Sequence, residues 1–215
     1  MKRVIGTIAA VVLATAAMDG CVVPLVGAAA GAAVVASDRR SVGVQLEDEQ
    51  VEARVHRALD DRIPKNAMSI DVTSYGRKVL LTGLVRTQQM RSDAEAAAAH
   101  AENVAQVINE LTVGEPASLG DRTDDTLLAG KVKTTLLGAD GVPGGVVATT
   151  VNQGVVYLLG KVTPTEGEAA AKAASRVSGV RRVVKLFELM TDQELDALKK
   201  SQQGAPSGNK NQPAN

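Results

Sequence analysis

The chain has 215 residues, 24 basic and 24 acidic side chains, and a formal net charge of zero. Tyr75, Tyr157 and Phe187 are its whole aromatic set, and Cys21 is its single cysteine. This balance argues against a broad nucleic-acid footprint and a base-stacking platform, and it excludes an intramolecular disulfide. Any core must be built from Val, Leu, Ile and Ala, which disfavours a large cofactor pocket.

Lys2 and Arg3 open the chain, and Val4 to Ala17 is almost wholly small or apolar. That run is shorter than the roughly 20 residues that span a bilayer core. A basic start, a short apolar centre and a small residue before the cut predict a secretory signal peptide over residues 1–20. Met18-Asp19-Gly20-Cys21 resembles a lipobox, where bacteria attach diacylglycerol to a cysteine and cleave before it. The resemblance implies that Cys21 is the acylated first residue of the mature chain. Val22, where an Asp would imply retention at the inner membrane, implies the outer membrane. Residues 21–46 then read as a linker. Its stretch 22–37 carries no charge. With several glycines it is short for a transmembrane helix, so it reads as a tether along the membrane surface.

An internal repeat organises the rest. Val79-Leu80-Leu81-Thr82-Gly83-Leu84-Val85 aligns with Val156-Tyr157-Leu158-Leu159-Gly160-Lys161-Val162 at an offset of 77, which also carries Asp48 onto Asp125, Val55 onto Val132 and Leu59 onto Leu136. Two units are predicted, over 47–114 and 124–190, with 115–123 as a Gly, Pro and Ser linker. In each, an amphipathic helix comes first, with Val51, Val55, Ala58 and Leu59 on one face, and Leu128, Val132, Thr135 and Leu136 in the second copy. A half-buried strand (Ile70, Val72), a turn at Ser74 to Arg77 or Asn152 to Gly154, and a strand apolar on both faces follow. A second helix carries Met90, Ala94, Ala97 and Ala101, and a third strand runs through Val107, Asn109, Leu111 and Val113. The expected fold is α+β. Each α-β-β-α-β unit forms a three-stranded mixed sheet with the twice-apolar strand central, two helices on one face and a right-handed crossover. Units of this size have small cores, so the two copies are expected to pack together. Gly83 and Gly160 are structural positions in the central strands. Either the second helix lies over the bare spot or each glycine marks a bulge.

The unit resembles the BON domain. The central Val-x-Leu-x-Gly-x-Val strand matches, and Ser178-Gly179-Val180-Arg181-Arg182-Val183 matches the opening of its third strand. In the first copy Asn103 stands for the glycine and Asn109 keeps the motif asparagine, whereas Lys185 replaces it in the second. Cys21, the small-residue linker, Asp38-Arg39-Arg40-Ser41-Val42-Gly43-Val44-Gln45, Asp124-Asp125-Thr126 and Ala174 to Val180 extend the similarity to dual-BON outer-membrane lipoproteins. The resemblance implies a non-enzymatic envelope protein that binds anionic phospholipid through its second BON unit and supports outer-membrane integrity.

Charge favours the same unit. Residues 47–113 carry 8 basic and 11 acidic side chains, a net of −3, against 8 and 6 in 124–190, a net of +2. Basic residues near an anionic surface contribute about 1 kcal/mol each. Off the core face of the second unit's first helix lie Leu127, Lys131 and Thr134, at i, i+4 and i+7, with Lys133 nearby. Leu127 replaces the polar Gln50 of the first copy. A leucine in the acyl boundary beside lysines at phosphate level is an interfacial element; its rival role is packing against the first unit or the linker. Arg176, Arg181 and Arg182 either form a solvated face or extend the headgroup contact.

Nothing else gathers chemistry. His56 and Asp60 share a helix face at i, i+4, but no nucleophile or second carboxylate completes a site. With His100 the only other histidine, metal ligands are too few. Gly138 to Gly145 lacks the Lys-Ser/Thr of a phosphate loop and reads as a flexible connection. Thr191 to Lys200 reads as a short helix, and Ser201 to Asn215 as disordered. The sequence therefore points to a lipid-anchored protein on the periplasmic face of the outer membrane. It has no cofactor, metal or nucleic acid. Its partner is an anionic phospholipid membrane or, alternatively, an outer-membrane assembly factor or other envelope protein docked by the BON pair.

Overall fold

The computed structural model describes residues 38–116 and 119–203. The signal peptide, Cys21, the tether to residue 37 and residues 204–215 lie outside them. The first unit contains α1 (Val42–Asp60), β1 (Met68–Tyr75), β2 (Lys78–Val85), α2 (Gln88–Ala99) and β3 (Gln106–Val113). The second contains α3 (Leu119–Leu137), β4 (Ala148–Asn152), β5 (Val155–Val162), α4 (Pro164–Ser175) and β6 (Arg182–Leu189), followed by α5 (Asp192–Gln203). Each sheet has the order first–second–third, with the hairpin antiparallel and the crossover strand parallel to the centre. This is the α+β architecture expected from the repeat.

Two helices begin earlier than the repeat boundaries. Ser41 caps α1 by accepting from the Val44 N–H, so the helix starts inside the stretch read as linker. Helix α3 likewise starts at Leu119, within 115–123. Thr191 and Glu194 form a reciprocal cap that starts α5. That helix carries Ser201 to Gln203, which had read as the start of a disordered tail.

The helix-facing side of each sheet holds one core. Val51, Val55 and Leu59 of α1 and Ala94, Ala97 and Ala98 of α2 meet Val79, Leu81, Val85 and Leu111. Leu128, Val132 and Leu136 of α3 and Ala170 and Ala174 of α4 meet Val156 and Leu158. The alanines let the second helix of each unit lie close to its sheet. Gly167 takes this furthest: a Cβ there would stand 3.0 Å from Phe187. Its counterpart in the first unit is Met90, over the smaller Leu111, so the two units exchange bulk between helix and strand. Thr135 does not join the core. It is exposed, and its hydroxyl folds back onto the Lys131 carbonyl at 2.9 Å.

The opposite faces of the two sheets pack on each other. Tyr75, Leu80, Tyr157 and Leu159 are buried there, with Ile108, Ala148, Val155, Val184 and Leu186 around them. This explains why β2 and β5 are apolar on both faces. Thr73 Oγ1 and Thr150 Oγ1 meet at 3.0 Å. These are equivalent positions of the repeat, and a contact between equivalents is the mark of an isologous, two-fold pairing. The layers thus run helices, sheet, sheet, helices.

Gly83 and Gly160 are explained by strand backbone rather than by a helix. Gly83 has φ +121°, and a Cβ there would stand 1.9 Å from the Ser69 carbonyl oxygen on β1. A Cβ on Gly160 would stand 2.7 Å from the Val146 carbonyl oxygen. In both units the chain leading along the central strand comes too close for any side chain. Gly138 to Gly145 is a looped connection tied down by buried Val142 and Val146.

Candidate functional site

Before any surface can be read, the two hairpins and the N-terminal strap must be in place. Asp48, 2% exposed, accepts from the Gly76 and Arg77 N–H groups at 2.8 Å each, from the Ser74 hydroxyl at 2.8 Å and from Arg40 Nη1 at 2.7 Å. Asp125 does the same for the second hairpin, accepting from Gln153 N at 2.6 Å and Gly154 N at 2.9 Å. Both turns have two residues at positive φ, Gly76 and Arg77 or Gln153 and Gly154, as tight two-residue hairpins require. The turns turn their N–H groups toward one carboxylate, which is why an aspartate recurs at the 77-residue offset. Burial alone would raise the Asp48 carboxyl, but the Arg77 N–H, the Ser74 hydroxyl, the Gly76 N–H and Arg40 together hold it below its ordinary value. Asn103, which replaces the motif glycine, has φ +67° against +102° at Gly179. Asparagine is one of the few side chains that adopts this conformation readily.

Asp38-Arg39-Arg40 straps both units. Arg39 pairs bidentately with Glu166, at 2.7 Å for each nitrogen, and donates to the Lys161 carbonyl. Its side chain is 7% exposed and that of Glu166 13%. Arg39, above all, holds the Glu166 carboxyl below its usual range against the desolvation that raises it. Arg40 pairs with Asp38 and Asp48 and stacks over the Tyr75 ring at 3.9 Å. The strap therefore grips the second unit with one arginine and the first with the next. The sequence offered this segment only as part of a resemblance.

The expected contact residues lie on two lines along α3. Leu127, Lys131 and Thr134 form one exposed stripe, and Leu127 keeps 60% of its surface open. Leu84 of the first unit and Glu115 and Pro116 of the linker line the groove beside it. The Thr134 hydroxyl is turned inward onto the Gly130 carbonyl at 3.0 Å, presenting its methyl group outward. Lys133, six residues from Leu127, points about a third of a turn away on helical geometry. It lines a separate cavity of about 300 Å³ with Asp38, Gln45, Leu136, Leu137 and Val142.

Leu127 and Lys131 border a groove that also holds Arg181, Gly179, Leu84, Asp121 and Asp124. Arg181 is fixed there: its stem lies over Gly154, where a Cβ would meet it at 2.8 Å. It is also the bridge to a second hollow lined by Lys172, Arg182, Ser175 and Val180. Arg182 is partly committed elsewhere, pairing with Glu110 of the first unit at 3.2 Å. Arg176 caps the end of α4 and is exposed. The arginines therefore divide, with Arg182 joining the units and Arg181 lining the groove. His56 is exposed, and His100 contacts the Ala96 carbonyl through Nδ1. Among the described residues, no helix is long and apolar enough to cross a membrane.

The BON domain model matches residues 47–115 and 124–190. Over 182 residues the chain is 38% identical to outer membrane lipoprotein DolP of Haemophilus influenzae, covering 82% of this chain and 92% of that protein. It is 36% identical to a 21 kDa hemolysin of Actinobacillus pleuropneumoniae, covering 70% of this chain and 78% of that one. It is 30% identical to osmotically-inducible protein Y of Escherichia coli, covering 69% and 76%. The chain belongs to the BON domain family, as a tandem pair of the envelope-lipoprotein kind.

Proposed function

We propose that the chain is a non-enzymatic lipoprotein, anchored through Cys21 on the periplasmic face of the outer membrane. Its second BON unit binds anionic phospholipid and so supports the integrity of that membrane. The observation that carries this reading is Leu127, 60% exposed on α3 beside Lys131 in the unit with net positive charge. An apolar side chain left open to water has a use when it enters the acyl boundary while its basic neighbours meet phosphates. Arg181 stands across the same groove and adds a second positive group.

Co-sedimentation tests it, using chain with Cys21→Ser so that acylation does not mask the weaker contact. Binding to phosphatidylglycerol vesicles is expected, with little to phosphatidylcholine. Leu127→Glu should weaken it roughly tenfold, about 1.4 kcal/mol. Equal binding by the variant, or none by the parent, refutes the reading and favours a BON pair that docks on another envelope protein.

A further inference from the structure

The third strand of each unit ends its sheet, so one side of its backbone meets no neighbouring strand. Such an edge is a template for pairing with another chain unless something covers it. In the first unit side chains cover it. Arg91 of α2 donates to the Asn109 carbonyl at 3.1 Å, and the Asn109 side chain accepts from the Leu111 N–H at 3.1 Å. Glu95 of α2 accepts from the Asn109 side-chain amide at 2.9 Å. The motif asparagine is thus an edge cap, held by two residues of the helix beside it.

The second unit has lost this cap. The repeat places Glu168, Lys172 and Lys185 where the first has Arg91, Glu95 and Asn109. Glu168 and Lys185 pair with each other. Lys185 and Phe187 stand at the registers of Asn109 and Leu111. The Lys185 carbonyl and the Phe187 N–H have no partner among the described residues. Beside this open edge, between β6 and α4, lies the hollow of about 510 Å³ that Lys172, Arg181 and Val183 line. Its one carboxylate, Glu168, is taken by Lys185, whereas Lys172 has no acidic partner among the described residues. Leu189, 65% exposed, ends the same strand with apolar surface.

We propose that the β6 edge is a docking strand for an extended acidic segment of another protein, which joins the sheet beside β6 and lays its carboxylates on Lys172 and Arg181. Only an extended backbone offers the row of donors and acceptors that an open edge lacks. In this mode main-chain hydrogen bonds supply affinity and flanking side chains supply selectivity. The surplus of positive charge in the hollow sets that selectivity toward acidic residues. A second copy of β6 is a poor occupant, because it carries Arg182 and Lys185 against the single Glu188. The edge of the first unit stays closed while Arg91 and Asn109 hold their cap. The proposal does not depend on Leu127 touching lipid.

The test uses the full chain with Cys21→Ser and, as probe, a blocked peptide of alternating valine and glutamate as long as β6. Amide hydrogen exchange followed by NMR should slow at Phe187 by roughly tenfold or more at saturating peptide, with Leu111 unchanged as the capped control. No slowing at Phe187 overturns the proposal. So does equal slowing by a peptide of alternating valine and lysine, which removes the acidic selectivity. Equal slowing by the glutamate peptide with methylated backbone nitrogens, which cannot form the ladder, also overturns it. Protection of Phe187 that grows with chain concentration in the absence of peptide assigns the edge to a second copy and overturns the proposal as well. Lys172→Glu alone should weaken peptide binding roughly tenfold. Glu168→Arg, Lys172→Glu and Lys185→Asn together rebuild the cap of the first unit and should abolish binding. Undiminished binding in either variant overturns the proposal.

Discussion

Asp48→Asn is the most informative single change in this fold. Asparagine has the same shape, but one of its two terminal atoms becomes a donor. It would face the N–H of Gly76 or Arg77, both of which now donate to the carboxylate. Arg40, held at 2.7 Å, would keep its charge and lose a partner. Removing one member of a buried ion pair costs roughly 3–5 kcal/mol. Arg40 retains Asp38 and the Tyr75 ring, which places this case near the lower end, about 3 kcal/mol. At roughly 2–4 °C per kcal/mol for a chain of this size, the melting midpoint should fall by about 6–12 °C. The repeat supplies its own control. Asp125 stands at the equivalent position, is half-buried, and accepts two backbone N–H groups. Asp125→Asn should cost about 1 kcal/mol and about 2–4 °C.

Acid gives a second readout with a definite sign. The folded Asp48 carboxyl titrates below its ordinary value of 3.8. Its contribution is therefore fully present above that value and is lost as pH falls through the lower, folded one. Glu166 is depressed in the same direction. The parent should lose stability as pH falls below about 4, and Asp48→Asn should lose less over that range. Thermal melts followed by circular dichroism measure both effects. Equal midpoints for Asp48→Asn and Asp125→Asn, or an unchanged acid slope in the first, would refute the account of Asp48 as the buried clamp of hairpin and strap.

Two further changes probe other parts of the fold. Gly83→Val and Gly160→Val should both lower the melting midpoint, Gly83→Val by about 4–12 °C or more, as expected for about 2–3 kcal/mol where a positive φ adds strain to the collision with Ser69. An unchanged midpoint in both rejects the close-approach explanation. Arg39→Ala should free the strap, speeding hydrogen exchange at the Arg40 and Ser41 amides and lowering the midpoint by roughly 4–8 °C, as expected for about 2 kcal/mol from a partly shielded bidentate pair; exchange unchanged at those amides contradicts the strap.

The repeat made the topology legible, because the same spacing of apolar residues, turn and glycine occurs twice and each copy checks the other. The small size of each unit implied that the two pack together, and the buried Tyr75, Leu80, Tyr157 and Leu159 are that contact. Three features were less accessible. Thr135 occupies a core position by alignment, yet its hydroxyl has an available carbonyl one turn back, and spacing does not weigh such a competitor. The cause of Gly83 is a backbone oxygen from β1, and backbone approach leaves no side-chain pattern to read. Arg39 finds Glu166 across 127 positions, a distance at which charge alone cannot select one carboxylate among many. Within the candidate site, the exposed stripe of Leu127 and Lys131 followed from helical periodicity. The separation of Lys133 onto the neighbouring side follows from the same geometry, once the turn angle is applied to each residue.

The duplication also shows how one small fold accommodates two different surroundings. Both copies keep the aspartate that closes the hairpin, since each turn needs an acceptor for its two N–H groups. Only in the first copy is that aspartate buried, with Arg40 and Tyr75 around it. There the hairpin clamp also holds the strap, so the first unit cannot easily change this end without releasing it. The second copy has no such burden at its Asp125, and its α3 is free to carry Leu127 and Lys131 in the open, where the first copy has Gln50 and Arg54, the latter tied to Glu47. The strap constrains this end of the first copy, and the equivalent end of the second carries no such contact among the described residues.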